Sequence, residues 1–367
     1  MSKKTYVNGT ILHEAPTGLG VYAKNILKCW AKDKKQVEVF SPIPIEGLKV
    51  KPVTKYVKPS YKKKGGIMRL LYTQLFMPFK IKKEDTLYHP FQYLSLCAKG
   101  KQIITIHDFI PLYYPEVAKH QYRYYKYLMP HLLKRADKII CISNNTMEDL
   151  IKFYQVDKSK IHMVYNGYDT EMFNTENINE QVLKNYKIDY PYMVMVGASY
   201  PHKNLSSAIR AFKDLENKKG CKLLIIGKTS PYIEGLKELT KELNLEEEVI
   251  FLGYVPDKDL KTLYNKAKAF VYPTLYEGFG LPILEAAACD TVVLCSNNSS
   301  LPEVYGEGAI TFNPESIEEI KEAMEVALND GDKVQETKEK ARENLKRFSW
   351  EKTAKEVYEI INEKKEG

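Results

Sequence analysis

The sequence predicts an α/β fold of two doubly wound domains, and three observations carry that expectation. Short apolar runs alternate with helical patterns to about residue 168, and the alternation restarts at Tyr192. The chain has 367 residues, 44% of them hydrophobic, which suffices for two cores of ordinary size. The charge also changes sign along the chain. Residues 1–170 hold 29 Lys and Arg against 13 Asp and Glu, a balance of +16; residues 171–367 hold the remaining 26 and 34, a balance of −8, and the two sum to +8. A basic first half is suited to an anionic partner.

The six cysteines have no C-x-x-C spacing, so they read as buried thiols in a reducing compartment rather than a zinc site or a disulfide framework. No apolar segment follows the N-terminal lysines, and no run of about 18 apolar residues occurs. A cytoplasmic location is expected, with any membrane contact peripheral and at the inner face.

Thr5 to Asn8 reads as the first strand. A loop with Gly18 and Gly20 then enters a helix at 21–31. Gly18 to Ala23 matches G-x-G-x-x-A, but about nine residues separate it from the strand, and Glu38 sits inside the next strand, 37–40, rather than at its end. A dinucleotide fingerprint needs both features placed otherwise. The loop is left to face a phosphate or an acceptor, or to be a helix entry that only needs glycine geometry.

Residues 49–83 contain no acid, eleven Lys and Arg, and many aromatic and aliphatic residues. This mixture suits an anionic membrane surface. The alternative is a solvated basic loop beside a core helix at 67–79. Nucleic acid would also attract the charge, but no nucleic-acid motif accompanies it, so none is expected as a partner. Strands follow at 87–89 and 102–106, the second ending at His107-Asp108, where ligands meet an α/β sheet. A helix is expected at 121–135, and strands at 138–142 and 161–165.

In the second half, strands are expected at 192–196, 222–226, 249–253, 269–272, 291–295 and 309–312. After the first comes the loop 199–204, whose Lys203 supplies a point positive charge. The central stretch is 269–285, AFVYPTLYEGFGLPILE. Pro273 ends the strand, Gly278 and Gly280 form a glycine turn, and Pro282 suits the first turn of a helix. Glu285 is placed in that first turn. A helix N-terminus offers unpaired N–H groups to an anion, and glycines let it come close. Glu277 and Glu285 could accept hydrogen bonds from hydroxyls. A ligand with phosphates and many hydroxyls, such as a nucleotide sugar, fits; a solvated turn acid and a helix-start acid are the plain alternative.

EGFGLPILEAAAC, followed by SSLPEV (299–304), resembles the donor-binding signature of retaining glycosyltransferases of family 4. HDFIPLYYPE resembles that family's H-D-L-x-P-x-x-x-P-E string, and Gly18 and Gly20 match its T-G-[IL]-G loop. The resemblance implies a GT-B fold, with two Rossmann-like domains and a donor cleft between them. An acceptor-side domain at 1–170 and a nucleotide-sugar domain at 171–349 would be joined by a final helix in 350–367 that packs back on the first. It implies hexose transfer from a nucleoside diphosphate sugar to a glycan or lipid-linked acceptor, with no metal and no further cofactor. His107 and Glu277 would contact the sugar, Lys203 the diphosphate and Glu285 the ribose. Gly18, Gly20, Gly278, Phe279, Gly280 and Leu281 would line the donor. HDFIP with PHKN resembles mannosyl- and rhamnosyltransferases of bacterial surface polysaccharides that use GDP sugars. One departure stands out: Ala198 occupies the place of an arginine that family members set against the diphosphate, and His202 takes that of a second basic residue. A sugar phosphorylase or hydrolase, or a non-catalytic nucleotide-sugar-binding subunit, are the alternatives.

Overall fold

The computed structural model describes residues 3–14, 16, 18–197 and 200–363. Contacts divide the chain into two compact units, Met1–Gly167 with Ser349–Gly367, and Tyr168–Phe348.

The first unit is a seven-stranded parallel sheet. Its strands are β1 (Thr5–Asn8), β2 (Val37–Ser41), β3 (Lys49–Pro52), β4 (Thr86–His89), β5 (Lys101–Ile106), β6 (Lys138–Cys141) and β7 (Ile161–Met163), in the spatial order β3-β2-β1-β4-β5-β6-β7. Val7 lies opposite both Val39 and Tyr88, and β1, β2 and β4 are buried throughout. Helices cover both faces of such a sheet, so its central strands are buried on both sides rather than alternating. The order reverses between β1 and β4, which opens a crevice beyond their C-terminal ends. The final helix, Trp350–Asn362, belongs to this unit. Trp30 Nε1 donates to the Ala354 carbonyl (2.8 Å), and Thr353 Oγ1 donates to that of Tyr165 (2.8 Å).

Strand β3 was not expected from its lysine-rich sequence. It pairs with β2 because its lysines converge on one carboxylate. Lys49 and Lys51 lie 3.3 and 3.1 Å from Glu38, and Lys4 lies 3.0 Å away. Burial pushes the Glu38 carboxyl up, but the three ammonium groups outweigh it and hold it at about 2. A depressed carboxyl stabilises the fold above its unfolded value near 4.5, and the contribution is lost as pH falls through 2. Because the lysines are partly exposed, Glu38→Gln is expected to lower stability by only about 1–2 kcal/mol at pH 7. In acid-titrated urea melts the difference should shrink below pH 4.5.

One alternative and one expected helix are corrected in this unit. Residues 67–79 are not a core helix. A helix at Lys62–Leu71 runs through a π turn at Tyr72–Phe76 into a 3-10 turn at Pro78–Lys80. Ile67, Leu71, Leu75 and Phe79, spaced by four, are 59, 41, 55 and 87% exposed. The segment is anchored instead through Thr73, Met77 and Ile81, all buried. The single helix expected at 121–135 is three pieces, Lys119–Arg123, a π turn Tyr124–Leu128 and Met129–Leu133, with Pro130 near the start of the third. No helix among the described residues is long and apolar enough to cross a membrane.

The second unit is a six-stranded parallel sheet. It comprises β8 (Tyr192–Val196), β9 (Lys222–Ile226), β10 (Val249–Gly253), β11 (Ala269–Tyr272), β12 (Val293–Ser296) and β13 (Ile310–Phe312), ordered β10-β9-β8-β11-β12-β13. Two apolar clusters hold its faces, one around Phe212, Leu223 and Met324, the other around Tyr264, Phe270 and Leu301. The order reverses between β8 and β11. The described residues beyond these neighbours, 200–204 and 273–280, therefore lie above the reversal point of the sheet, which is where ligands enter such folds.

Candidate functional site

In the second unit the two diverging loops are stitched by backbone. The His202 carbonyl accepts the Leu275 N–H (2.8 Å) and the Thr274 hydroxyl (3.1 Å). This brings Lys203 onto Glu277, 74 residues on, in a direct ammonium–carboxylate contact. Both side chains are nearly enclosed, at 15% and 11% exposure. Tyr272, the last residue of β11, donates its hydroxyl to the same carboxylate oxygen (2.8 Å), and Thr274 Oγ1 lies 3.1 Å from it, sharing its one proton with the His202 carbonyl. Burial would push the Glu277 carboxyl up, but Lys203, with help from the Tyr272 hydroxyl, holds it below its ordinary value. Glu277 is thus an ionised, oriented carboxylate.

The loop after Glu277 is pinned by β12's exit. Ser299 Oγ accepts the Glu277 N–H (3.1 Å) and donates to its carbonyl (2.7 Å), while Ser300 Oγ reaches the carbonyls of Glu277 (2.9 Å) and Phe279 (3.1 Å). Phe279 is buried against Phe348, edge to face at 5.9 Å. Gly280 caps the helix Leu281–Ala288 at φ +103°, and a Cβ there would lie 2.7 Å from Leu301 Cδ2. Both the backbone and the space demand glycine. Gly280→Ala is expected to destabilise this unit by about 1–3 kcal/mol, read as a lower urea midpoint.

The helix begins at Leu281 with Pro282 in its first turn, so Glu285 stands one turn further in than expected. The reason is that Gly280 is the cap, and four residues precede Glu285 inside the helix. Glu285 is only partly exposed. Burial pushes its carboxyl up to about 8, with the Asp257 and Asp169 carboxylates adding to the effect. Two carboxyls eight residues apart are therefore in opposite states: Glu277 ionised, Glu285 protonated at neutral pH.

His202 stands in the place of a second basic residue but does not replace its charge. It is buried, stacked on Tyr200 at 5.8 Å, and burial followed by the Lys203 charge lowers it to about 4. It stays neutral and supplies no second positive charge. Ala198 and Ser199 lie outside the described residues, as do Thr17 and residues 364–367.

The first unit gathers the other expected residues. His107 leaves β5 buried, with Nε2 2.8 Å from the Pro90 carbonyl and its ring edge-on to Tyr22 at 4.7 Å. Burial lowers it to about 4, so the imidazole is neutral. A carbonyl partner requires the proton on Nε2, which leaves Nδ1 as the acceptor. Gly18 caps the helix Leu19–Lys32 at φ +50°, and a Cβ on Gly20 would meet Pro16 Cβ at 2.8 Å.

Sequence reasoning assigned no role to Tyr272, Thr274, Ser299 or Ser300. Each stands at the C-terminal end of β11 or β12 or in the loop beyond it, and that position was the available signal.

Two family sequence models match the chain: Glycosyltransferase Family 4 over residues 16–172, and Glycosyl transferases group 1 over residues 177–344. Among curated proteins, the O-antigen chain mannosyltransferase RfbU of Salmonella typhimurium is 35% identical over 214 residues, 58% of this chain and 57% of its own length. The serotype-specific mannosyltransferase WbdA of Escherichia coli is 32% identical over 69% of this chain and 32% of its own length. The chain thus spans from about a third to little over half of these relatives. O-antigen chain mannosyltransferase B of Escherichia coli is 29% identical over 73% of this chain and 72% of its own. Among solved structures, a glycosyltransferase from Rickettsia africae (TM-score 0.74, 18% identity, 98% of both chains) shares the fold. So does Anabaena HepE, solved with UDP and glucose (TM-score 0.75, 15% identity, 98% of this chain and 99% of that one).

Proposed function

The chain belongs to the GT-B glycosyltransferases that join a family 4 domain to a group 1 domain, and from that premise we propose that it moves a hexose from a nucleoside diphosphate sugar to a hydroxyl of a glycan or lipid-linked acceptor, with retention of configuration. The observation that carries this reading is the Lys203–Glu277 pair at the reversal point of the second sheet, beside the glycine-capped helix that holds Glu285.

Each residue has a task in it. The amides of 278–280 and the helix start receive the diphosphate. Lys203 counters the charge that grows on the leaving diphosphate. Glu277 takes hydrogen bonds from the sugar hydroxyls, and Glu285 from the ribose. His107 accepts a sugar hydroxyl at Nδ1, and the Gly18–Gly20 turn leaves backbone open to phosphate. The acceptor attacks from the leaving-group face, and its proton passes to the departing diphosphate. A hydrolase would need two carboxyls poised on one bond; here Glu277 sits among Lys203, Tyr272 and Thr274, whereas Glu285 sits toward Asp257 and Asp169.

Mannose or rhamnose carried on GDP is the favoured donor, in line with the mannosyltransferase relatives. The exposed stripe of Ile67, Leu71, Leu75 and Phe79, opened by Lys64 and closed by Lys80, Lys82 and Lys83, favours work at an anionic membrane surface. Incubation with GDP-mannose, GDP-rhamnose and the UDP sugars beside an O-antigen-type oligosaccharide should release nucleoside diphosphate only with a GDP sugar and only when acceptor is present. The α-anomer should persist in the product by NMR. Equal release without acceptor would mark a hydrolase.

A further inference from the structure

At the N-terminal end of the first sheet, opposite the end that carries His107, seven cations surround a depression of about 540 Å³. Lys99 and Lys101 come from the entry to β5, Lys134 and Arg135 from the turn before β6, Lys160 from the turn before β7, and Lys83 and Lys3 from beside them. Only two carboxylates, Asp137 and Glu363, share it. Both are engaged: Asp137 accepts the Gln102 N–H (2.9 Å), and Glu363 is held by Lys138. Arg135 is fixed by the Ala98 carbonyl (3.0 Å) and Lys160 by that of Ala136 (3.1 Å). Among the described residues no carboxylate pairs with Lys83, Lys99 or Lys134.

We propose that this basin binds a phosphate group presented by an anionic lipid headgroup. Seven clustered cations against two carboxylates leave an excess of positive charge that costs free energy, and a bound polyanion relieves the repulsion. Lys101 registers it: burial, then the Lys138 and Lys3 charges, lower its ammonium from the usual lysine range. Guanidinium and ammonium groups set around a hollow are the donors that phosphate oxygens take.

A lipid is the source because the basin adjoins the apolar stripe. Phe79 is 87% exposed, and Ile81, two residues on, is buried with Ala98 beneath it. Gly100 sits so close under the following turn that a Cβ would lie 2.8 Å from the Lys82 carbonyl. An apolar side chain to enter the acyl region, beside lysines for the headgroup, is the composition of an interfacial contact. The proposal rests on the membrane reading above only for where the phosphate comes from.

The test is vesicle co-sedimentation with phosphatidylcholine alone or mixed with phosphatidylglycerol, at about 0.15 M salt. The intact protein, Lys99→Glu/Lys134→Glu and Phe79→Ser are compared, with inorganic pyrophosphate as a soluble competitor. The intact protein should sediment only with the anionic vesicles. The double variant should bind about tenfold more weakly, Phe79→Ser should also bind more weakly, and pyrophosphate should raise the melting point of the intact protein but not of the double variant. Equal sedimentation of the intact protein and the double variant overturns the proposal. Pyrophosphate stabilisation without vesicle binding overturns the lipid source. Donor-induced thermal stabilisation, measured on the same samples, should be equal in all three proteins; it shows that the variants fold and reports separately on the transferase reading.

Discussion

Replacement of Lys203 by methionine is expected to lower kcat by about 100–1,000-fold and to destabilise the second unit by about 3 kcal/mol. The two effects share one cause. The Lys203 ammonium is the counter-charge that keeps the buried Glu277 carboxyl ionised. Without it, burial prevails and Glu277 takes up a proton on folding. Methionine fills the same space, so the loss is of charge and not of volume. A melting-point drop of about 6–12 °C corresponds to that destabilisation in a unit of this size. Lys203→Met combined with Glu277→Gln removes both charges and should recover most of the stability but none of the activity. Wild-type turnover in Lys203→Met would remove Lys203 from the chemistry. A double variant no more stable than Lys203→Met would mean the pair is not coupled as described.

Substitution of Glu285 by glutamine is expected to weaken nucleotide-sugar binding by about 100-fold while stabilising the protein at alkaline pH. The carboxyl is raised to about 8 by burial and by Asp257 and Asp169. A raised carboxyl contributes stability that is fully present below its unfolded value near 4.5 and is lost as pH rises through 8. Glutamine carries no charge at any pH. The variant should therefore lie within about 1 kcal/mol of the parent at pH 5 and exceed it by about 3–5 kcal/mol at pH 9. Binding follows the opposite direction. Ribose hydroxyls donate to the ionised carboxylate, so the parent must release a proton when donor binds below pH 8. Its affinity should rise between pH 6 and pH 8 and then level off. Calorimetry in two buffers of different ionisation enthalpy should detect the proton. Donor affinity independent of pH would contradict the assignment of Glu285.

The central loop was legible in sequence because its signals are local. Pro273 stops a strand, Gly280 must adopt positive φ, and Pro282 must sit at a helix start. The Lys203–Glu277 contact was not legible, since 74 residues separate the partners and only the sheet order makes their loops neighbours. The state of Glu285 was likewise hidden, because it depends on Asp257 and Asp169, which no local pattern joins to it. Ile67, Leu71, Leu75 and Phe79 make a different lesson. A four-residue apolar spacing says that a helix has an apolar face, not which way that face points. Here the face looks outward, and Thr73, Met77 and Ile81 do the anchoring. Strand β3 went unread for a related reason: its lysines are neutralised by Glu38, a residue of the neighbouring strand.

The most direct measurement is a thermal-shift series of GDP, UDP, ADP and dTDP with their sugar conjugates, run on the intact protein and on Glu285→Gln. A ligand present at about 100 times its dissociation constant should add about 2.7 kcal/mol, a shift of roughly 5–10 °C. A donor site built on Glu285 predicts that at least one nucleotide series, the GDP series under the proposed donor, shifts the intact protein and that the variant shifts by only about 1–2 °C at the same concentration. Equal shifts in both proteins, or no shift from any nucleotide, would contradict it.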